Sequence, residues 1–204
     1  MDFLKTLTIG RRRGRITSVA GLIAGIGEGA AYLAQGSSFS YIRARSGTMG
    51  PRLMQDAAFG RGMERCKWEG FAAAAGDLLL IAEGDLRPHG PVPAAVWPAL
   101  YRAVLDTQPI PEHRAGQGWD DRLSDFARRL EAHLAAPPGR IEDIADHSAN
   151  VIMDYAPVDD TIRELDRPMV TNNVKFRFID HVDALRRRTD LPALAAALRD
   201  WEAA

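Results

Sequence analysis

The segment Trp68–Leu86, WEGFAAAAGDLLLIAEGDL, constrains this chain more than any other. Its apolar residues fall at Trp68, Phe71, Ala72, Ala75, Leu78, Leu79, Ala82 and Leu86. That is the i, i+3, i+4 spacing of a buried helix face. The alanine run and Gly76 keep the middle of the helix thin, so neighbouring helices can approach closely. Arg87, Pro88, His89, Gly90 and Pro91 then stop it, because proline cannot extend the hydrogen-bond ladder.

The rest of the sequence repeats this helical rhythm. Leu53–Lys67 reads as a helix weakened by Gly60 and Gly62 that leads into the central one. Val96, Trp97, Leu100, Tyr101, Val104 and Leu105 form a stripe, with Pro98 in the first turn, where proline is tolerated. Helices are expected over Trp119–Ala136 and Arg140–Tyr155, with a short one over Asp160–Leu165 and a last one over Asp190–Trp201. Val174–Phe178 alternates like a strand, but no second strand is visible to pair with it. A helix starting from a cap at Asn172 or Asn173 is therefore expected there. Thr107–Gly118 is polar, rich in breakers and long for a connection, which marks it as a functional or flexible loop. The fold expected is all-α: about seven to eight helices in one compact domain, residues 35–204, preceded by a basic, glycine-rich arm, residues 1–34. With 204 residues, the chain is long enough to bury about 70% of its unfolded surface.

Charge is unevenly spread. Residues 1–67 hold eleven lysines and arginines against four acids, and residues 68–204 hold fifteen against twenty-three, for a total of −1. Such a split fits either a basic arm for an anionic partner or pairing within the fold. Lysine occurs only at Lys5, Lys67 and Lys175; with the high alanine content, this reflects a GC-rich, bacterial codon usage rather than phosphate recognition.

The arm carries Arg11, Arg12, Arg13 and Arg15 and then Ile16–Ala34, whose only charge is Glu28. A basic cluster before an apolar run resembles the pattern of a signal peptide or membrane anchor. Four glycines dilute the run, Glu28 would cost about 2.5–3.5 kcal/mol near a bilayer centre, and no small-residue cleavage site ends it. A role on the surface of the membrane, with the arginines as the contact, fits better than a span. Nucleic acid is disfavoured, since no recognition motif accompanies the arginines. Gly21, Gly25 and Gly29 recur at every fourth position and give a helix a smooth strip for close packing, within the chain or between copies. No phosphate-binding loop is present, because GxxxxGK[ST] is absent and Gly25–Gly29 lacks the GxGxxG pattern.

No catalytic constellation stands out. Cys66 is alone, which rules out an internal disulfide and a cysteine-built zinc site and fits a reducing cytoplasm. The histidines, His89, His113, His133, His147 and His181, form no HExxH pair. Asp143, His147 and Asp154 share one helix, and Asp120, Asp121 and Asp125 share another, with Asp159, Asp160 and Glu164 as a rough counterpart. Helical ion pairing and first-turn acids account for both groups. Serines 37, 38, 46, 124 and 148 lack a GxSxG elbow. No metal or cofactor is therefore expected.

The sequence leads to a non-enzymatic helical interaction or assembly protein, cytoplasmic and peripheral to the inner membrane. Its expected partners are a protein or a second copy, and an anionic membrane surface. The alternative is a small-molecule enzyme, a hydrolase or an isoprenoid-type helical enzyme, with a cleft between the Asp120–Asp125 helix and the His147 helix.

Overall fold

A computed structural model describes residues 14–53 and 55–201. Arg11, Arg12 and Arg13 lie outside the described residues. Eight α-helices are present among the described ones: α1 Val19–Ser46, the single turn α2 Gly50–Leu53, α3 Ala57–Leu86, α4 Val96–Asp106, α5 Asp120–Leu134, α6 Ile141–Tyr155, α7 Asp160–Arg188 and α8 Leu191–Arg199. There is no strand among the described residues, only an isolated bridge from Ile16 to Thr189. The fold is all-α.

Four helices form a ring in which each runs antiparallel to its neighbours. Ala34 of α1 lies against Gly70 of α3, while Leu22 lies near Leu78 and Ile81. Ile152 and Ser148 of α6 meet Cys66 and Asp77 of α3. Asp154 and Asp146 of α6 pair with Arg167 and Lys175 of α7. Asp166 and His181 of α7 reach Tyr41 and Gly29 of α1. Helices α1, α3, α6 and α7 thus make an up-and-down four-helix bundle. α4 packs across α1 and α3, and the Tyr101 hydroxyl donates to the Ala72 carbonyl at 2.9 Å. α5 lies parallel to α3, and α8 closes one end of the bundle.

The central segment is more enclosed than one apolar face implies. Residues 69–81 of α3 are all buried, because α1, α4, α5 and α6 surround the helix. Gly36, Ser37 and Ser38 lie within an unbroken α1, where the Ser38 hydroxyl back-bonds to Ala34 at 2.6 Å. One expectation of a break is corrected. The short helix at Asp160–Leu165 and the one beginning at Asn172 or Asn173 are a single 29-residue helix that passes through Pro168. Burial of Val170, Val174, Phe178 and Val182 against the bundle outweighs the hydrogen bond lost at proline.

The division at residue 34 falls inside α1, whose Leu22, Ile26, Ala30 and Leu33 belong to the core. No helix among the described residues is long and apolar enough to cross a membrane. The glycine strip faces its own chain. A Cβ on Gly29 would come within 2.2 Å of His181 Nε2, and one on Gly25 within 3.1 Å of Ile16 and 3.4 Å of Leu185. Gly21 lies over Ser18 and Ile16. Gly29→Leu is expected to destabilise the fold by about 1–3 kcal/mol, as overpacking does. Gly60→Ala, with open space around it, is expected to add about 0.5–1 kcal/mol from helix propensity. Urea midpoints of the two variants check both signs.

Candidate functional site

Along its α5 side, α3 carries three buried carboxylates, Glu69, Asp77 and Glu83. α5 runs beside it in the same direction and answers with Arg122, Arg129 and His133. This polar seam ties α5 to the central helix.

Glu69 is 2% exposed and receives three side chains. Arg114 donates to both of its oxygens at 2.7 and 2.6 Å, Arg122 to Oε2 at 2.9 and 2.6 Å, and His113 Nε2 lies 2.8 Å from Oε1. Arg114 also bonds Asp121 at 2.7 Å and the Gly118 carbonyl at 3.0 Å, and it lies over the Trp119 ring. Burial opposes ionisation of Glu69, but the hydrogen bonds from Arg114 and His113 and the charge of Arg122 outweigh it, so its pKa is depressed. The loop 107–118, expected to be functional or flexible, is therefore pinned to the central helix by His113 and Arg114.

Asp77 is fully buried. One oxygen accepts from Arg129, and the other accepts from the Ser148 hydroxyl and, at 2.9 Å, from the Ser148 backbone N–H. Glu83 accepts from Arg87 at 2.8 and 2.9 Å, and His133 Nε2 lies 2.9 Å from it. A cavity of about 110 Å³ lies beside this end of the seam, lined by His133, Asp85, Arg186 and the Pro138–Gly139 turn. It is well below the roughly 300 Å³ of a small-ligand pocket.

The groups singled out in the sequence come together only in part. His147 Nε2 approaches Asp125 to 3.8 Å across α5 and α6, an ion-pair separation too long for a hydrogen bond. Asp121 is held by Arg114, Asp120 points outward near Arg102, and Asp160 and Glu164 pair with Arg163 and Arg167. Asp143 pairs with Arg140 and Asp154 with Arg167, so neither joins His147. No group of three potential metal ligands occurs among the described residues. Cys66 is buried, its thiol pushed up to about 12 by burial, and its Sγ donates to the Ile152 carbonyl at 3.4 Å. Sequence reasoning missed Glu69, Asp77 and Glu83 as a set. The available signal was acids embedded in an otherwise apolar helix, which must be paired if they are buried.

His133 and His147 are both held below the usual histidine range, first by burial and then by neighbouring arginines. Their neutral forms are favoured in the fold. As pH falls below about 6.5, the unfolded chain takes up these protons before the folded chain does, and stability declines. Glu69 acts at lower pH: its contribution is complete above its unfolded value near 4.5 and is lost as pH falls through its lower, folded value. Urea midpoints are expected to fall in two stages on acidification. His133→Gln with His147→Gln should flatten the upper stage.

One surface is unlike the rest. On α7, Ile162, Leu165, Met169 and Phe176 recur at intervals of three, four and seven, and the last three are 79, 65 and 69% exposed. On α1, Tyr32 and Phe39 are also exposed. Tyr32 stacks on His181, and Arg177 crosses Gly36 to bond Ser40, so these two helices present one outer face along their shared seam. α4 and α5 pack elsewhere and leave that face uncovered. Comparison with protein-family models, curated proteins and solved structures finds no match for this chain.

Proposed function

We propose that this is a non-enzymatic helical interaction protein whose working surface is the outer face of α1 and α7. The observation that carries the reading is the stripe of Ile162, Leu165, Met169 and Phe176, left in water on a 29-residue helix whose other side is core. Contiguous exposed apolar side chains at helical spacing mark a surface made to be covered. The polar seam of α3 and α5 serves a different purpose: its charges satisfy one another and lock the loop 107–118 and α5 onto the bundle.

A photo-crosslinking side chain placed at Leu165 or Phe176 tests this in cells that express the full chain. Adducts with protein or lipid are expected at both positions and not at Glu131, an exposed residue of α5. Equal yields at all three positions, or none at Leu165 and Phe176, would overturn the reading.

A further inference from the structure

α7 has two apolar faces. Val170, Val174, Phe178 and Val182 are buried in the bundle. On the opposite side stand Ile162, Leu165, Met169, Asn172, Phe176 and Ile179, at successive intervals of three, four, three, four and three. Ile179 is half-buried and the other five are exposed. Alternation of three and four is the seam of a helix pair, in which each side chain enters a hole between four residues of a facing helix. Residues 162–179 give this seam a length of about 27 Å. Tyr32 and Phe39 of α1 widen it, and with Ile162, Leu165, Met169 and Phe176 they are 41 to 79% exposed. At roughly 200 Å² for a large side chain, these six leave about 700 Å² in water, close to the roughly 800 Å² that each partner gives to a stable interface.

The charges around the seam suit a second copy. Arg15 pairs with Asp190 at 3.5 Å and Arg186 with Asp85 at 2.7 Å, so charge selects no anionic partner for this face. No charged residue occupies the seam itself. The exposed residues between 168 and 176, Pro168, Met169, Asn172, Asn173 and Phe176, are all uncharged, so two copies bring no like charges together at the centre. The ends differ. Residues 159–167 hold four acids and two arginines, and residues 180–188 hold two acids and three arginines. Antiparallel pairing sets the acidic end of one α7 toward the basic end of the other and opposes the two helix dipoles. The intervals read the same in both directions. A two-fold axis beside the middle of the seam therefore matches every position: Ile162 with Ile179, Leu165 with Phe176, and Met169 with Asn172.

Resting on the docking face proposed above, we infer that its occupant is a second copy of this chain, with the two α7 helices packed antiparallel about a two-fold axis. Asn172 is the one polar residue of the seam and fixes the register, as a polar residue among apolar seam positions does.

Sedimentation of the full chain from low to high micromolar concentration tests this. A dimer, twice the chain mass of 22.4 kDa, is expected. Leu165→Asp and Phe176→Asp should each weaken association by about thirtyfold or more, with helical circular dichroism unchanged because both sites are exposed. Disulfide trapping reads the direction of pairing. Cys66 is buried, so an added surface thiol is the reactive one. With oxidised glutathione, a mixture of Leu165→Cys and Phe176→Cys chains should give a linked dimer, and each chain alone should give little. A monomer at every concentration, a dimer that both aspartate variants leave intact, or linkage within either chain alone as readily as in the mixture would overturn the inference. If the chain is a monomer and the photo-crosslinks at Leu165 and Phe176 capture a different protein or a lipid, the second copy falls and the docking face stands. If it is a monomer and those crosslinks are absent, both fall.

Discussion

Glu69→Ala is expected to lower the free energy of unfolding by about 3–5 kcal/mol, the cost of leaving buried charges without their counterion. The reason lies in what remains. Arg114 has a side chain only 4% exposed and Arg122 one 17% exposed, and both aim at the vacated carboxylate. Asp121 can compensate Arg114 in part, since it already accepts from it at 2.7 Å. Arg122 has only a long approach to Asp121, at 3.7 Å, and the Tyr155 hydroxyl at 3.3 Å. The loop 107–118 should loosen at the same time, because His113 and Arg114 are its ties to α3. Hydrogen exchange should show new opening at residues 112–118, and urea unfolding should give the free-energy change. A cycle that adds Arg122→Ala should recover part of the loss, as one stranded charge is removed.

The second large effect belongs to Asp77. Asp77→Ala is expected to cost about 3 kcal/mol, because the Ser148 N–H and hydroxyl lose their acceptor inside the core and Arg129 loses its counterion. The companion Arg129→Met in the same chain should restore much of the stability, since an apolar pair of similar volume often replaces a buried ion pair without loss. Asp77→Asn should fall between wild type and alanine: it keeps the shape but presents a weaker acceptor to Arg129. Neither variant should disturb the exposed face of α7, so crosslinking at Phe176 should persist below the unfolding midpoint.

The helices were legible in sequence where apolar periodicity met a clear breaker. Val96–Asp106 and Ile141–Tyr155 are flanked by proline or glycine and match their stripes closely. The reading failed at Pro168 and Asn172, where local chemistry points to a stop but packing of Val170 and Val174 carries the helix through. The buried seam was hidden for a different reason. Glu69 pairs with Arg114 and Arg122, 45 and 53 residues away, and spacing along one helix carries no information about such partners. The glycine strip was visible as a packing device, but its partner was not: Leu185 and His181 are more than 150 residues distant. The exposed stripe on α7 was obscured because the expected helix ended at Leu165 and restarted at Asn172 or Asn173, so Leu165, Met169 and Phe176 were never placed on one helix face.

The ring of four helices also has a consequence for how the chain folds. α1 is made first, yet its seam partner α7 is the last long helix. Contacts such as Tyr41 to Asp166 and Arg177 to Ser40 span 125 and 137 residues. Closing loops of that size costs entropy before any contact repays it, so refolding should be slow for an all-helical domain. During synthesis the thin, glycine-lined side of α1 stays open until α7 has emerged. Before α7 its long-helix neighbours are α3, α4 and α6, and until α7 emerges the nascent bundle stays unclosed, the state most exposed to wrong partners.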